Sequence, residues 1–151
     1  MAGNEAYNCF GCSPANNIGL HLDFWLDGDE LVAEWQPQKL YEGWTGILHG
    51  GIQATLMDEA AAWLILTTRN TASVTSSMSI NFLRPVFISV GKLTVRARLH
   101  SEEKRIVTIV CSLINDEGEV CSEAKVACFC FPEHIARAKY NYPGMEAFFE
   151  K

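Results

Sequence analysis

The sequence predicts an α+β domain in which a curved antiparallel sheet of about six strands wraps one long helix. Three observations predict it. One sixteen-residue stretch, Ile52 to Thr67, lacks Gly and Pro and is rich in Ala and Leu. Four β-rich stretches follow it, and an alternating apolar pattern with a turn precedes it.

Taken in order, Leu20, Leu22, Phe24 and Leu26 alternate with His21, Asp23 and Trp25. Asp27-Gly28-Asp29 supplies turn chemistry before Leu31 to Trp35, so the segment reads as a hairpin. Gly50-Gly51 introduces the helix, whose only polar members before Thr67 are Gln53, Thr55, Asp58 and Glu59. A helix apolar nearly all round is expected to be buried on most sides. After a loop at Arg69 to Ala72 come Val74 to Leu83, Lys92 to His100, Arg105 to Ile114 and Val120 to Phe131. Arg84-Pro85, Ser101-Glu102-Glu103 and Asn115-Asp116-Glu117-Gly118 separate them, which predicts a long antiparallel meander. A short helix near Glu133 to Lys139 and an aromatic end, Phe148-Phe149, complete the chain, and the tail is assigned no function.

The chain has 151 residues, 48% hydrophobic and 20% charged, with formal net charge −6. A chain of that length buries about 68–70% of its unfolded surface, enough for one core, so residues 1–151 are read as a single domain. The longest apolar run, Ala60 to Leu66, falls far short of the ~20 residues that cross a bilayer. Met1 to Glu5 shows no basic, apolar opening, so no export signal and a cytoplasmic location are expected, with no membrane partner. The acidic balance argues against nucleic acid as a partner. Charge is uneven, however: residues 1–60 hold nine acids and only Lys39, whereas residues 84–105 hold six bases and two acids. As a group, Lys92, Arg96, Arg98, Lys104 and Arg105 are candidates for a phosphate-bearing ligand; singly they read as solvated strand positions.

Six cysteines in a chain without an export signal are expected to stay reduced. Cys9 and Cys12 make one C-x-x-C, with His21 as a conceivable third ligand, but no second ligand pair exists. No metal and no organic cofactor is therefore expected.

Asp58 and Glu59 demand explanation, because a carboxylate inside a buried helix is costly unless paired or hydrogen-bonded. Adjacent helical positions point about 100° apart, so the two face different surroundings. Asp58 follows Gly51 by seven positions, about two turns, on the stripe of the helix entrance. Burial there is expected to raise its pKa toward that of a base at neutral pH. At the entrance, His49-Gly50-Gly51 places small residues where backbone N–H groups lack partners and the helix dipole is positive. A substrate oxygen gaining negative charge is stabilised at such a place. A carboxylate and N–H donors are the minimum equipment for attack on a carbonyl. The other reading is a tight loop-to-helix turn at Gly-Gly, with Asp58 paired to an arginine.

The string Tyr41 to Gly51, then Ala54 to Ala60, resembles the H-G-G-x6-D signature of hotdog-fold acyl-CoA thioesterases of the PaaI-like type, within the 4-hydroxybenzoyl-CoA thioesterase-like superfamily. Cys9-Phe10-Gly11-Cys12 with Asn17-Ile18-Gly19-Leu20 is similar to the family's C-F-x-C…N-P-x-G-L opening, and Phe82-Leu83-Arg84-Pro85-Val86 to its F/Y-L-R-P turn. The resemblance covers residues 9–131. It implies hydrolysis of an acyl-CoA, or of an acyl carrier protein thioester, to free acid and thiol. The Gly50 N–H would polarise the carbonyl, and Asp58 would activate water or attack directly, as base or nucleophile. His49 then shapes the entrance, Thr75 orients water, and Gly51, Gln53 and Arg84 contact substrate, with Gln53 either lining the acyl pocket or pointing outward. Several members carry Asn or Gln six residues before the motif histidine; here Gly43 stands there beside Glu42, so polarisation would rest on Gly50. Glu59 is the alternative to Asp58. The resemblance also implies a homodimer or a dimer of dimers (a homotetramer), with sites shared between subunits. Rival readings are a noncatalytic acyl-CoA-binding module and a hotdog enoyl-thioester hydratase or dehydratase. Trp44 and Trp63 are candidates to cap the acyl chain or are ordinary core residues.

Overall fold

The computed structural model describes residues 7–89 and 91–148. A six-stranded antiparallel sheet carries one long helix, α1 (Gly50–Arg69), packed against one face. The strands are β1 (Trp25–Asp27), β2 (Glu30–Trp35), β3 (Ser73–Phe82), β4 (Leu93–Glu103), β5 (Ile106–Ile114) and β6 (Val120–Cys130), in spatial order β1-β2-β4-β5-β6-β3. This is the hotdog architecture: the sheet supplies one apolar face and α1 fills it.

Packing follows the two periodicities. Along α1 the buried residues are Gln53, Leu56, Met57, Ala60, Ala61, Leu64 and Ile65, a stripe at three- and four-residue spacing. It meets alternate residues of the strands: Leu93, Val95 and Ala97 from β4, Val107, Ile109, Cys111 and Leu113 from β5, Ala124, Val126 and Cys128 from β6. The helix is therefore buried on one side, not on most: Ala54, Ala62 and Leu66 on its flanks are only half-buried. Because Leu56 is fully enclosed, Leu56→Ala should destabilise the fold by about 2–5 kcal/mol, measured by denaturant unfolding.

Two expectations about strand order and turns are corrected. The four strands after α1 do not form one meander, since β3 pairs with β6 while β4 pairs with β2. The connection over residues 83–92 is too long for a hairpin. It instead runs across the fold, anchored by buried Val86 and by Leu48 N–H donating to Val86 O. Likewise Ser101-Glu102-Glu103 is no turn: β4 runs through it after a register shift between Leu99 and Ser101. The reversal falls at Lys104-Arg105, with Lys104 at φ 55.

Leu20 to Leu26 forms strand only at its end. Leu20 and Leu22 are buried and His21 exposed, as the alternation predicts, but His21 adopts φ 54 and the segment packs without a ladder. Helix α2 (Glu133–Tyr140) matches the expected tail helix. Phe148 stands edge-on to Trp63, with ring centroids 5.5 Å apart; Phe149 lies outside the described residues.

Candidate active site

The entrance of α1 is built by a loop tied at both ends. His49 N–H donates to Tyr41 O, and Gly43 N–H donates to Ile47 O. Glu42, beside Gly43, accepts from Gly46 N–H at 2.9 Å and so holds the loop. A side chain at position 43 would abut His49, since a Cβ there lies 3.5 Å from His49 Cα.

His49 is the N-cap, at φ −60 and ψ 134, and its Nδ1 accepts the Gly51 N–H at 2.8 Å. An accepting Nδ1 carries no proton, so the neutral ring holds its proton on Nε2. The N–H groups of Ile52 and Gln53 both donate to His49 O, at 3.0 and 3.2 Å. A helix leaves its first four N–H groups without intrahelical partners. Of these, Gly51 and Ile52 are satisfied by His49 and the His49 N–H by Tyr41 O, and among the described residues none accepts from the Gly50 N–H. One donor at the positive end of the helix dipole is thus available. The Phe82 ring lies against it, 3.4 Å from where a Gly50 Cβ would be. Gly51, expected as a second contact, is committed to the cap.

Asp58 lies two turns further along, half-buried. Its Oδ1 accepts a hydrogen bond from Thr75 Oγ1 at 2.6 Å. Among the described residues Asp58 forms no ion pair, so the arginine-paired reading does not hold. Thr75 reaches it because β3 is irregular at this point. The register shifts between Thr75 and Ser77, and Ser76 Oγ donates to Ala127 O at 2.9 Å. Bulges commonly re-aim neighbouring side chains in this way. Cys128 stands opposite Thr75 on β6, and burial pushes its thiol up to about 11, which keeps it a neutral packing group. Beneath, Cys111 Sγ donates to Met57 O.

Glu59, half-buried like Asp58, meets different surroundings. Desolvation raises the Glu59 carboxyl to about 7, and neighbouring Cys9 adds to it. Its Oε1 accepts from Cys9 Sγ at 3.2 Å and from Trp63 Nε1 at 3.1 Å. Glu59 is thereby engaged with the N-terminal segment and does not share the Thr75 contact. Trp63 belongs to the same side, stacked on Phe24, while Trp44 is 84% exposed.

Gln53 points inward: it is buried, and its Oε1 has no hydrogen-bond partner among the described residues. Arg84 is not free, since it forms an ion pair with Glu119 and its Nε donates to Val120 O. In the basic stretch, Lys92 pairs with Glu34, and Arg96 with Asp27 and Glu30. Lys104 and Arg105 border a cleft with Arg69, at the far end of α1 from Gly50. Twenty helical residues span about 30 Å, so these cations and the entrance do not share a site within one chain. Phe82 and the Ser76 bulge are the parts of the site that the sequence did not assign a role.

The chain is similar to known proteins at two levels. A model of the thioesterase superfamily matches residues 45–122, just over half the chain, from the entrance loop through β3 and β5 to the start of β6. A provisionally named esterase of Saccharolobus solfataricus, SSO1253, is 35% identical over 80 residues, 52% of this chain and 52% of that protein. The match therefore spans about half the length of that curated relative. Among solved structures, the Escherichia coli PaaI protein of the phenylacetic acid degradation operon superposes with TM-score 0.68 and 22% identity, covering 76% of this chain and 82% of that one. The Streptococcus mutans protein smu.793, solved bound to acetyl CoA, gives TM-score 0.67 and 18% identity over 74% and 90%. A thioesterase-like protein of Streptococcus pneumoniae, solved with coenzyme A, gives 0.67 and 20% over 74% and 87%. The solved structures share the fold and the family model covers the entrance and the carboxylate helix; the chain belongs to the thioesterase superfamily, with the hotdog fold of the PaaI-like proteins.

Proposed function

We propose that this protein hydrolyses an acyl-CoA thioester to a free acid and CoA. The observation that carries the reading is the Asp58 carboxylate, hydrogen-bonded by Thr75 and free of any cation among the described residues, on the helix whose first N–H is available. Gly50 and Asp58 lie eight residues apart, about 12 Å along α1, so the proposed site is shared between two chains. The thioester carbonyl oxygen accepts the Gly50 N–H of one chain, a bond that strengthens as the oxygen gains charge in the tetrahedral intermediate, and the Asp58 that acts on the carbonyl carbon comes from the second chain. Acting as base, Asp58 takes a proton from water while the water oxygen bonds to the carbonyl carbon. The C–S bond then breaks, and the thiolate leaves and takes up a proton. Acting as nucleophile, Asp58 would form an acyl-carboxylate anhydride that water hydrolyses to the same products. Thr75 holds the carboxylate oxygen in place, and His49 fixes the entrance through its neutral ring. Gln53, with a buried amide oxygen, lines the inner end of the site.

Coenzyme A as the thiol portion is supported by the fold relatives from Streptococcus mutans and Streptococcus pneumoniae, solved with acetyl CoA and CoA. A panel of short, long and aryl acyl-CoAs tests the proposal by thiol release. Free CoA and free acid in equal amounts are expected from at least one member. Saturable binding without turnover would make the protein a binding module, and loss of enoyl absorbance without thiol would make it a hydratase.

The site is open in one chain, and β3 supplies the reason. It is an edge strand ten residues long, with Val74 43% and Phe82 54% exposed. A long, unprotected edge is a pairing surface. We infer that β3 pairs with its copy in a second chain, making one continuous sheet and covering Asp58 and Gly50. Light scattering should give twice the 16.8 kDa chain mass, or four times it for a dimer of dimers; a 16.8 kDa particle would contradict the pairing.

A further inference from the structure

The C-x-x-C at the start of the chain is not used by the thioesterase reading, and the structure gives it a partner that the sequence did not suggest. Cys9 Sγ, Cys12 Sγ and a Glu59 carboxylate oxygen all lie within 4.8 Å of one another. The Cys9 Sγ to Glu59 Oε1 distance is 3.2 Å. Two ligands on a tetrahedral zinc ion, with Zn–S near 2.3 Å and Zn–O near 2.0 Å, sit about 3.5–3.8 Å apart, so the three atoms need only small shifts to share one ion.

Hydrogen-bonding groups face two of these atoms. Tyr7 Oη lies 3.0 Å from Cys12 Sγ, and Trp63 Nε1 donates to Glu59. Such outer donors orient and tune metal ligands. Gly11 makes the approach of the carboxylate possible: a Cβ there would fall 2.5 Å from Glu59 Cδ. Among the described residues no Lys, Arg or His forms an ion pair with Glu59. His21, the other conceivable ligand, is turned elsewhere, with its Nε2 2.6 Å from Asn16 O.

We propose that Cys9, Cys12 and Glu59 bind one zinc-class divalent cation as a two-sulfur, one-oxygen set. Solvent fills the fourth position from the adjoining cleft, which is lined by Cys12, His21, Asp23 and Trp63. The thiols that are protonated release their protons to solvent as the metal–sulfur bonds form. The bound ion would fasten the N-terminal segment to α1 one residue from Asp58, on a different face, so the site is separate from the proposed chemistry.

The test is anaerobic titration of the chelator-treated, reduced full chain with Co(II), read by the thiolate-to-cobalt absorption band, beside zinc analysis of the untreated protein. One equivalent per chain is expected. Glu59→Gln and Cys9→Ser should weaken binding about tenfold or more, with circular dichroism checking that each variant is folded, whereas His21→Ala should bind like wild type. Absence of the band in the folded wild-type protein would overturn the proposal, as would undiminished binding in folded Glu59→Gln. A native chain mass lower by two hydrogens, with neither zinc nor cobalt bound after reduction, would show a Cys9–Cys12 redox pair instead. Loss of metal binding with thiol release intact, or the converse, separates this site from the hydrolytic one.

Discussion

Gly50→Pro should lower kcat for thiol release by about 10²–10³ while leaving the fold as stable as wild type. The expectation follows from the hydrogen bonds at the entrance. Proline removes a backbone N–H, and at position 50 that N–H donates to no acceptor among the described residues. Proline is tolerated at the first helical position, and His49, at ψ 134, already has the extended conformation that a following proline requires. Gly50 is not among the glycines with positive φ, and its added Cβ would meet Phe82 at 3.4 Å, an ordinary contact. Stability should therefore hold or rise by up to about 1 kcal/mol, checked by thermal unfolding. A fall in kcat without a fall in stability isolates the donor. Unchanged turnover would show that the carbonyl is polarised elsewhere.

The fold was legible in the sequence wherever local periodicity decides structure. Ile52 to Thr67 read as helix because nothing in it breaks a helix, and the structure extends it only to Gly50 and Arg69. The strands were legible from their alternating and β-branched residues. Their order was not, because alternation says which face is buried but not which strand lies alongside. Only the 83–92 connection, long for a hairpin, carried a signal that β3 and β4 part company. The β4–β5 turn was missed because Lys104 adopts positive φ without the Gly or Asn that usually announces it.

At the site, the spacing from His49 to Asp58 and the place of Thr75 were readable, and the structure joins Asp58 to Thr75. The Ser76 bulge that makes this contact is a tertiary effect with no composition of its own. Helical position alone does not show which of two adjacent carboxylates meets the N-terminal segment. Glu59 does so across about fifty residues of sequence, through Cys9. Arg84 read as a free cation because Glu119, its partner, is 35 positions away.

Asp58→Asn should be the more damaging substitution. The amide has nearly the size of the carboxylate and can still accept from Thr75, so packing around α1 is retained. What it loses is the ability to take a proton from water or to attack as an anion, which is worth about 10²–10⁴ in rate. Substrate affinity should change little, because the interaction lost belongs to the transition state. Glu59→Gln, about 100° around the helix from Asp58 and engaged with Cys9 and Trp63, should leave the chemical step near wild type if the enzyme stays folded. The most direct measurement is therefore the rate of thiol release at saturating acyl-CoA by Asp58→Asn beside wild type, with binding of the same substrate measured in parallel. A loss of about a hundredfold or more with binding preserved is the predicted result; wild-type turnover in the folded variant would contradict any role for Asp58 as base or nucleophile.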